Sequence, residues 1–379
     1  MNVSGRVFDV HGFSAGKFAP VRDAFQAHFT EHNEVGASLG VTFRGETVVD
    51  LWGGWRDAAK TRSWERDTVA CIWSVSKSIT AICFGMIVDR GLASFEDRIS
   101  RYWPEFAAAG KGEVTIAMLL SHQAGVTGFA TPAVTEDMYA GEAAARRLAA
   151  QAPFWEPGTA AGYHPCSVGI LATALFARIE GRSIQSFVQD ELARPFGLDV
   201  SIGAPPGKPD TVAEMIAVAG GGTAILPNDS PAQAAANNPL LNSAMANTPA
   251  FRTADLCAVN AFSNGRSMAE LYSLFMGGRL DGRALASNQV FANATMLRAE
   301  GVDLIRGVFL RWSAGFQINV NGLFGPNPDV VFHTGFGGTF SLADPVAGVT
   351  LSYVPNRMGY LYDREPRRIG LVKALYQSF

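Results

Sequence analysis

Ile72-Trp73-Ser74-Val75-Ser76-Lys77 is the stretch that decides how this chain is read. An apolar pair leads into a serine, and a lysine follows three residues later. From Ser78 to Arg90 the apolar residues Ile79, Ile82, Cys83, Met86 and Ile87 recur at helical spacing, and Gly91 is a natural stop. The spacing predicts an amphipathic helix opened by Ser74, with Ser74 and Lys77 one turn apart on the same side. The serine then sits at a helix N-terminus, where free N–H groups and the dipole favour developing negative charge. A serine that attacks a carbonyl needs a base within hydrogen-bond reach and relief for the oxyanion it creates. One helical turn supplies both, although the same pair also occurs as a plain cap beside a solvated lysine.

Composition narrows the alternatives. At 379 residues the chain is long enough for one to three domains. Its net charge of -3 argues against a nucleic-acid or anionic-membrane partner. It carries only six lysines, which makes a serine–lysine match by accident less frequent. Met1 to Gly12 lacks the basic start and apolar run of a secretory signal, and no stretch is as long as a transmembrane span. Cysteines 71, 83, 166 and 257 show no zinc or C-x-x-C spacing, so free thiols in a reducing cytoplasm are expected.

Outward from that stretch, the two ends of the chain read differently from the middle. Pro20 to Glu31 carries a Val21, Phe25, Phe29 stripe and predicts a helix. Val35 to Phe43 and Glu46 to Trp52 flank Arg44-Gly45 as a hairpin. Strand-like runs return at Trp312 to Val320, Val330 to His333, Thr339 to Ala343 and Val349 to Val354, before a last helix at Arg367 to Tyr376. Between them lie helical patterns at Ile116 to Ser121, Gly141 to Ala150, Cys166 to Glu180, Ser183 to Leu192 and Met268 to Met276. The reading is an α/β chain of the α+β type. An antiparallel sheet is built from residues 1–90 and 290–379, and 91–289 form a mostly helical domain bordering a cleft. Residues 203–252 read as either a lid or an inert insertion, since Met215 to Phe251 contain one charge, Asp229.

A second serine competes. Gly12-Phe13-Ser14-Ala15-Gly16-Lys17 fits both G-x-S-x-G and S-x-x-K. A nucleophile elbow needs a buried strand before the serine and several strands upstream; Phe8-Asp9-Val10-His11 is a poor strand and only thirteen residues precede Ser14. Gly16 also disfavours the helix that would align Ser14 with Lys17.

Downstream of Ser74 two further pieces appear. Tyr163-His164-Pro165 precedes the apolar helix at Cys166, and Val331-Phe332-His333-Thr334-Gly335-Phe336-Gly337-Gly338-Thr339 places a turn-capable run at a strand end. With Val48-Val49-Asp50-Leu51-Trp52-Gly53-Gly54, Leu119-Leu120-Ser121-His122-Gln123-Ala124-Gly125 and Pro195-Phe196-Gly197-Leu198, the chain resembles the serine β-lactamase and penicillin-binding superfamily over nearly its full length. It is most similar to class C β-lactamases, D-alanyl-D-alanine carboxypeptidases and above all family VIII carboxylesterases.

The resemblance implies that Ser74 is the nucleophile, Lys77 its lysine and Tyr163 its tyrosine, with Ser74 and Phe336 N–H groups as oxyanion hole. His333, Thr334 and Gly335 stand for the family's lysine-threonine-glycine strand. Gly337, Trp312 and His164 join them as expected substrate-binding positions, although packing is the competing reading for Trp312 and His164. Pro165 and His333 depart from the β-lactamase pattern: an amide partner and a fixed positive charge are missing, which favours neutral esters over β-lactams. No H-E-x-x-H or comparable set occurs, so neither metal nor other cofactor is expected. The expectation is a cytoplasmic serine hydrolase acting on small carboxylic esters through an acyl-enzyme, with Lys77 and Tyr163 as joint base. The alternatives are a β-lactamase or D-amino-acid peptidase of the same superfamily, or an idle binding protein on the same scaffold. Oligomeric state is left open.

Overall fold

The computed structural model describes residues 9–217, 230–359 and 364–379. Met1 to Phe8 and Asp229, on which two of the readings above draw, lie outside the described residues. Among the described residues the strands are β1 (Val10–Ser14), β2 (Gly36–Phe43), β3 (Glu46–Gly54), β4 (Ala70–Cys71), β5 (Val200–Ile202), β6 (Ala261–Ser263), β7 (Arg279–Leu280), β8 (Arg283–Ala284), β9 (Ala299–Val302), β10 (Phe309–Trp312), β11 (Gln317–Ile318), β12 (Val331–Thr334), β13 (Phe340–Asp344) and β14 (Val349–Pro355). Nine of them form one antiparallel sheet in the order β1-β3-β2-β14-β13-β12-β11-β10-β9. Both chain ends thus meet at the β2–β14 pair, where Val41 lies opposite Leu351.

Side-chain alternation explains the layers. Ala37, Leu39 and Val41 of β2 point into a core shared with Val21, Phe25 and Leu371 of the two terminal helices, Ala19–Glu31 and Pro366–Tyr376. The intervening Ser38, Gly40 and Thr42 face the other side and are small or hydrogen-bonded. Ser38 Oγ accepts from the Gly265 N–H at 2.9 Å, and Thr42 Oγ1 meets Thr350 Oγ1 at 2.7 Å. On that face lies the helix Gly265–Tyr272. It comes from inside the segment assigned to the helical domain, yet it lies on the sheet at backbone distance. A Cβ on Gly265 would stand 2.7 Å from the Leu39 Cα, and one on Gly40 2.5 Å from the Gly265 carbonyl oxygen.

Several elements differ from their sequence reading for identifiable reasons. β1 forms although its sequence is a poor strand, because β3 pairs it along its length, Val10 opposite Gly53 to Ser14 opposite Val49. The run Trp312 to Val320 is two strands, broken by a turn in which Ser313 N–H donates to the Phe316 carbonyl at 3.0 Å. Gly315 in that turn has φ +97, and a Cβ there would lie 2.6 Å from the Ala81 Cβ, so the hairpin touches the helix Ser76–Asp89. The pattern Ser183 to Leu192 begins as an α-helix, Ile184–Phe187, and continues as a wider π turn from Val188 to Ala193.

The helix Ser76–Asp89 is not amphipathic in place. Every residue from Ser76 to Ile87 is buried. Its polar residues are tolerated because each has a partner: Ser78 Oγ meets Tyr272 OH at 2.5 Å, and Thr80 Oγ1 donates to the Cys257 carbonyl at 2.7 Å. Cys71, Cys83 and Cys257 are buried free thiols and Cys166 is half-buried and free. Among the described residues no helix is long and apolar enough to cross a membrane.

Candidate active site

The turn that carries Ser74 is fixed from both sides before any side chain is considered. β4 pairs with β6, and the Ile72 N–H donates to the Ala261 carbonyl at 2.9 Å. Ser76 Oγ donates to the Trp73 carbonyl and accepts from the Ala261 N–H at 3.0 Å. Ser74 does not open the α-helix as the spacing suggests; it sits in a single 3-10 turn, Trp73–Val75, immediately before it. Trp73 takes φ 48, a left-handed conformation that costs a non-glycine residue on the order of 1 kcal/mol or more. That strain sits one residue ahead of the serine and is held by the pairing on each side.

Lys77, in the first turn of the helix, reaches back to Ser74. Its Nζ donates to Ser74 Oγ at 3.2 Å, to the Pro165 carbonyl at 2.8 Å and to the Ala258 carbonyl at 3.1 Å. Tyr163 enters from the other side, its OH 2.6 Å from Ser74 Oγ. The phenol ring is stacked on Trp312, with centroids 5.7 Å apart and planes 7° apart, and Lys77 Nζ lies 4.9 Å from its centroid. All three side chains are almost wholly buried except where Ser74 meets the cavity.

The third piece is the turn after β12. A Cβ on Gly335 would stand 2.5 Å from the Ile72 carbonyl oxygen and 3.3 Å from the Trp73 Cβ, so glycine lets this turn lie against the Ser74 turn. Phe336 follows, its ring 5.5 Å from that of Trp73. Ser74, Tyr163, Thr334, Gly335, Phe336 and Gly337 all line one cavity of about 650 Å³. Its far wall is apolar: Met138, Leu241, Met245, Phe251 and Val259 face it. Three of these come from the segment 230–251, which therefore forms a wall of the cavity. Thr127 Oγ1 ties that wall down by donating to the Pro231 carbonyl at 2.9 Å, as does Asn238 Nδ2 to the Phe129 carbonyl at 2.7 Å.

Three residues expected at the substrate are placed elsewhere. Trp312, His164 and His333 are buried behind Tyr163 and are absent from the cavity lining. Trp312 Nε1 donates to Asp303 Oδ2 at 3.1 Å. His164 accepts from the Val126 N–H at its Nε2, at 2.9 Å, and contacts the Gly162 carbonyl through Nδ1. Its sequence position beside the tyrosine reflects packing. Burial pushes the His164 imidazole down to about 4; burial and then the Lys77 charge push His333 down to about 3. His122, stacked on His164 and edge-on to Tyr163 at 4.9 Å, is driven well below its ordinary value by burial and by His164. Three neutral imidazoles thus back the tyrosine at pH 7. The Cys166 thiol, which does line the cavity, is pushed up to about 11 by burial. Ser14 ends the edge strand β1, donates to the Phe18 carbonyl at 3.0 Å and does not line the cavity.

Asp303 and Arg306 are the residues that sequence reading missed. Arg306 Cζ lies 4.6 Å from the Tyr163 centroid and lines the cavity, and Asp303 accepts from the Tyr163 N–H at 3.0 Å. Only the turn-like run Gly301-Val302-Asp303-Leu304-Ile305-Arg306-Gly307 hints at them, and nothing in it points toward a residue 140 positions away.

Known proteins carry the same architecture. Residues 21–375 match the Beta-lactamase family model. The chain is 29% identical over 371 residues to the esterase/beta-lactamase LipL of Mycobacterium tuberculosis (strain ATCC 25618 / H37Rv), covering 92% of this chain and 83% of that one. A crystal structure of a family VIII carboxylesterase superposes with a TM-score of 0.92 at 38% identity, over 98% of this chain and all of that one. A penicillin-binding protein homolog from Caulobacter crescentus gives a TM-score of 0.92 at 33% identity, over 98% of this chain and 100% of that chain. A match that runs from the first terminal helix to the last, through the serine, tyrosine and glycine-rich turns, leaves one assignment: the chain belongs to the beta-lactamase family of serine hydrolases, in its family VIII carboxylesterase branch.

Proposed function

We propose that the chain hydrolyses small neutral carboxylic esters through an acyl-enzyme on Ser74. The observation that carries this reading is Ser74 Oγ at 2.6 Å from the Tyr163 hydroxyl and 3.2 Å from Lys77 Nζ, facing an apolar cavity of about 650 Å³. A site of that size accommodates a small-molecule ester with apolar groups on either side of the carbonyl. The four free cysteines fit the reducing cytoplasm that the sequence suggests.

The contacts of Ser74 Oγ with Tyr163 and Lys77 support one order of proton transfers. An ammonium has three N–H donors and no acceptor, and those of Lys77 are directed at Ser74 Oγ and two carbonyls. As an ammonium, Lys77 has no lone pair to offer. The Tyr163 oxygen, as a phenolate held beside the Lys77 ammonium, is then the acceptor for the serine proton, which converts it to the neutral phenol. Ser74 Oγ bonds to the ester carbon, and the carbonyl π pair moves to oxygen. The N–H groups of Ser74 and Phe336 receive that oxyanion: the first lies at a helix start, where amides lack intrahelical partners, and the second has no backbone partner among the described residues. Collapse breaks the carbon–alkoxy bond, and the alkoxy oxygen leaves with the proton from Tyr163. Water then attacks the acyl-enzyme, giving its proton to Tyr163, and the acid departs as Ser74 is reprotonated.

His333 is neutral, buried and outside the cavity, so the position that carries the family's strand lysine supplies no cation for a substrate carboxylate; the cavity's cations, Arg306 and Arg368, stand elsewhere in its lining, and its Met138, Leu241, Met245, Phe251 and Val259 side chains favour esters over β-lactams. The test is kcat/KM for p-nitrophenyl esters from acetate to octanoate beside nitrocefin, in wild type and Ser74→Ala. Esters should be turned over more efficiently, and Ser74→Ala should be inactive on both. Nitrocefin efficiency at or above the best ester would replace this reading with a β-lactamase.

A further inference from the structure

Behind Tyr163 a single buried carboxylate gathers four donors. Asp303 is 1% exposed. Its Oδ1 accepts from the N–H groups of Tyr163 at 3.0 Å, Ile305 at 2.9 Å and Arg306 at 2.9 Å, and its Oδ2 accepts from Trp312 Nε1 at 3.1 Å. Each of these reaches the tyrosine by a different route. One bond holds the Tyr163 backbone. A second orients the indole on which the phenol ring is stacked, 7° from parallel. The other two shape the turn that carries Arg306 Cζ to 4.6 Å from the Tyr163 centroid. The turn is closed by the Gly307 N–H donating to the Asp303 carbonyl at 2.8 Å and fastened to the segment just before the tyrosine by the Leu304 N–H donating to the Ala161 carbonyl at 3.0 Å. Its approach is close: a Cβ on Gly162 would stand 3.2 Å from Leu304 Cβ and from Ile305 Cγ1.

We propose that Asp303 is the positioning residue of Tyr163, setting the phenol oxygen on the line to Ser74 Oγ by fixing the tyrosine backbone, its stacking partner and the Arg306 turn together. The inference rests on the reading that Tyr163 accepts the serine proton. A carboxylate suits the post because all four partners are donors and an anion accepts from them without offering a competing proton. A shift of the phenol by about 1 Å would cost on the order of 10²-fold in rate, since proton transfer and attack both depend on that geometry.

Asp303→Asn keeps the size and one acceptor oxygen but turns an N–H₂ toward one of four donors. The experiment is a double-mutant cycle on kcat/KM for p-nitrophenyl butyrate, using wild type, Asp303→Asn, Tyr163→Phe and the double variant, with circular dichroism on each. Asp303→Asn should lower kcat by about tenfold to 10²-fold with KM little changed, and should add almost nothing in the Tyr163→Phe background. Trp312→Phe, which keeps a stacked ring but loses the bond to Asp303, should lose activity in the same direction and likewise only when Tyr163 is present. An unchanged kcat in Asp303→Asn, or an equal fractional loss in both backgrounds, would overturn the proposal. If Tyr163→Phe alone kept full activity, the tyrosine's role as proton acceptor would fail instead, and the two failures are told apart by that arm.

Discussion

Lowering the pH from 7 to 5 should remove several kcal/mol of stability, and the structure says which groups do it. His164 and His333 are fully buried and pushed down to about 4 and about 3; His28, packed beneath the sheet, is pushed down to about 3 by burial and the nearby Arg367. An unfolded imidazole titrates near 6.5. Below that pH the unfolded chain binds protons that these folded histidines refuse, so stability falls as pH drops through 6.5 and stops falling only below the folded values. At pH 5 the gap is about 1.5 pH units, or about 2 kcal/mol for each histidine and about 6 kcal/mol for the three. Asp255 acts in the opposite sense. Burial raises its carboxyl to about 6, so the folded state takes up a proton first and recovers about 1 kcal/mol at pH 5. The net loss from these four groups, about 5 kcal/mol before buried His122 adds in the same direction, is comparable to the whole stability of many domains. Urea unfolding followed by tryptophan fluorescence at the two pH values measures it, and His333→Gln should shrink the difference by about 2 kcal/mol. Equal stability at both pH values, or an undiminished difference in His333→Gln, would refute the reasoning.

Lys77→Ala and Tyr163→Phe should each lower kcat by on the order of 10²-fold or more, with circular dichroism unchanged in Tyr163→Phe, whose ring lines the cavity and loses only its hydroxyl. A Tyr163→Phe enzyme of undiminished kcat would make the tyrosine structural. Gly265→Ala should destabilise the fold by roughly 3 kcal/mol, since its Cβ would stand 2.7 Å from the Leu39 backbone and push the helix off β2. A thermal midpoint equal to that of wild type would show that the helix can move away at no cost.

The parts of the fold legible in sequence were those whose pattern is local. β2 alternates apolar Leu39 and Val41 with small Ser38 and Gly40, and that period of two states which face is core. The second face is not legible in the same way. Gly40 and Gly265 read as weak points in a strand and a helix, and only their contact, with more than two hundred residues between them, shows that they permit one to lie on the other. The Ser76–Asp89 helix misleads for a related reason. Its serines and threonine look like a solvent face, but each is bonded within the core, Ser78 to Tyr272 and Thr80 to Cys257. Hydrophobic periodicity registers polarity, and burial of a polar group turns on whether a partner arrives from elsewhere in the chain.

The same distinction divides the site. Ser74 and Lys77 are three residues apart, so helical geometry alone brings them within 3.2 Å. Tyr163 was reachable through a resemblance and His333 through its strand, but neither route says what stands behind the tyrosine. There the groups come from five separated segments: His122, His164, Asp303 with Arg306, Trp312 and His333. Histidines next to a motif suggest chemistry, yet burial keeps these three neutral, and the one charged side chain that fixes the tyrosine is an aspartate in an unremarked turn. A buried anion is costly unless its donors are supplied. Asp303 meets that condition with three backbone amides and an indole, and two of those four donors belong to the tyrosine and the ring stacked on it. The cost of burying the carboxylate and the geometry of the base are therefore one problem with one solution: the bonds that make the anion tolerable are the bonds that aim the phenol at Ser74.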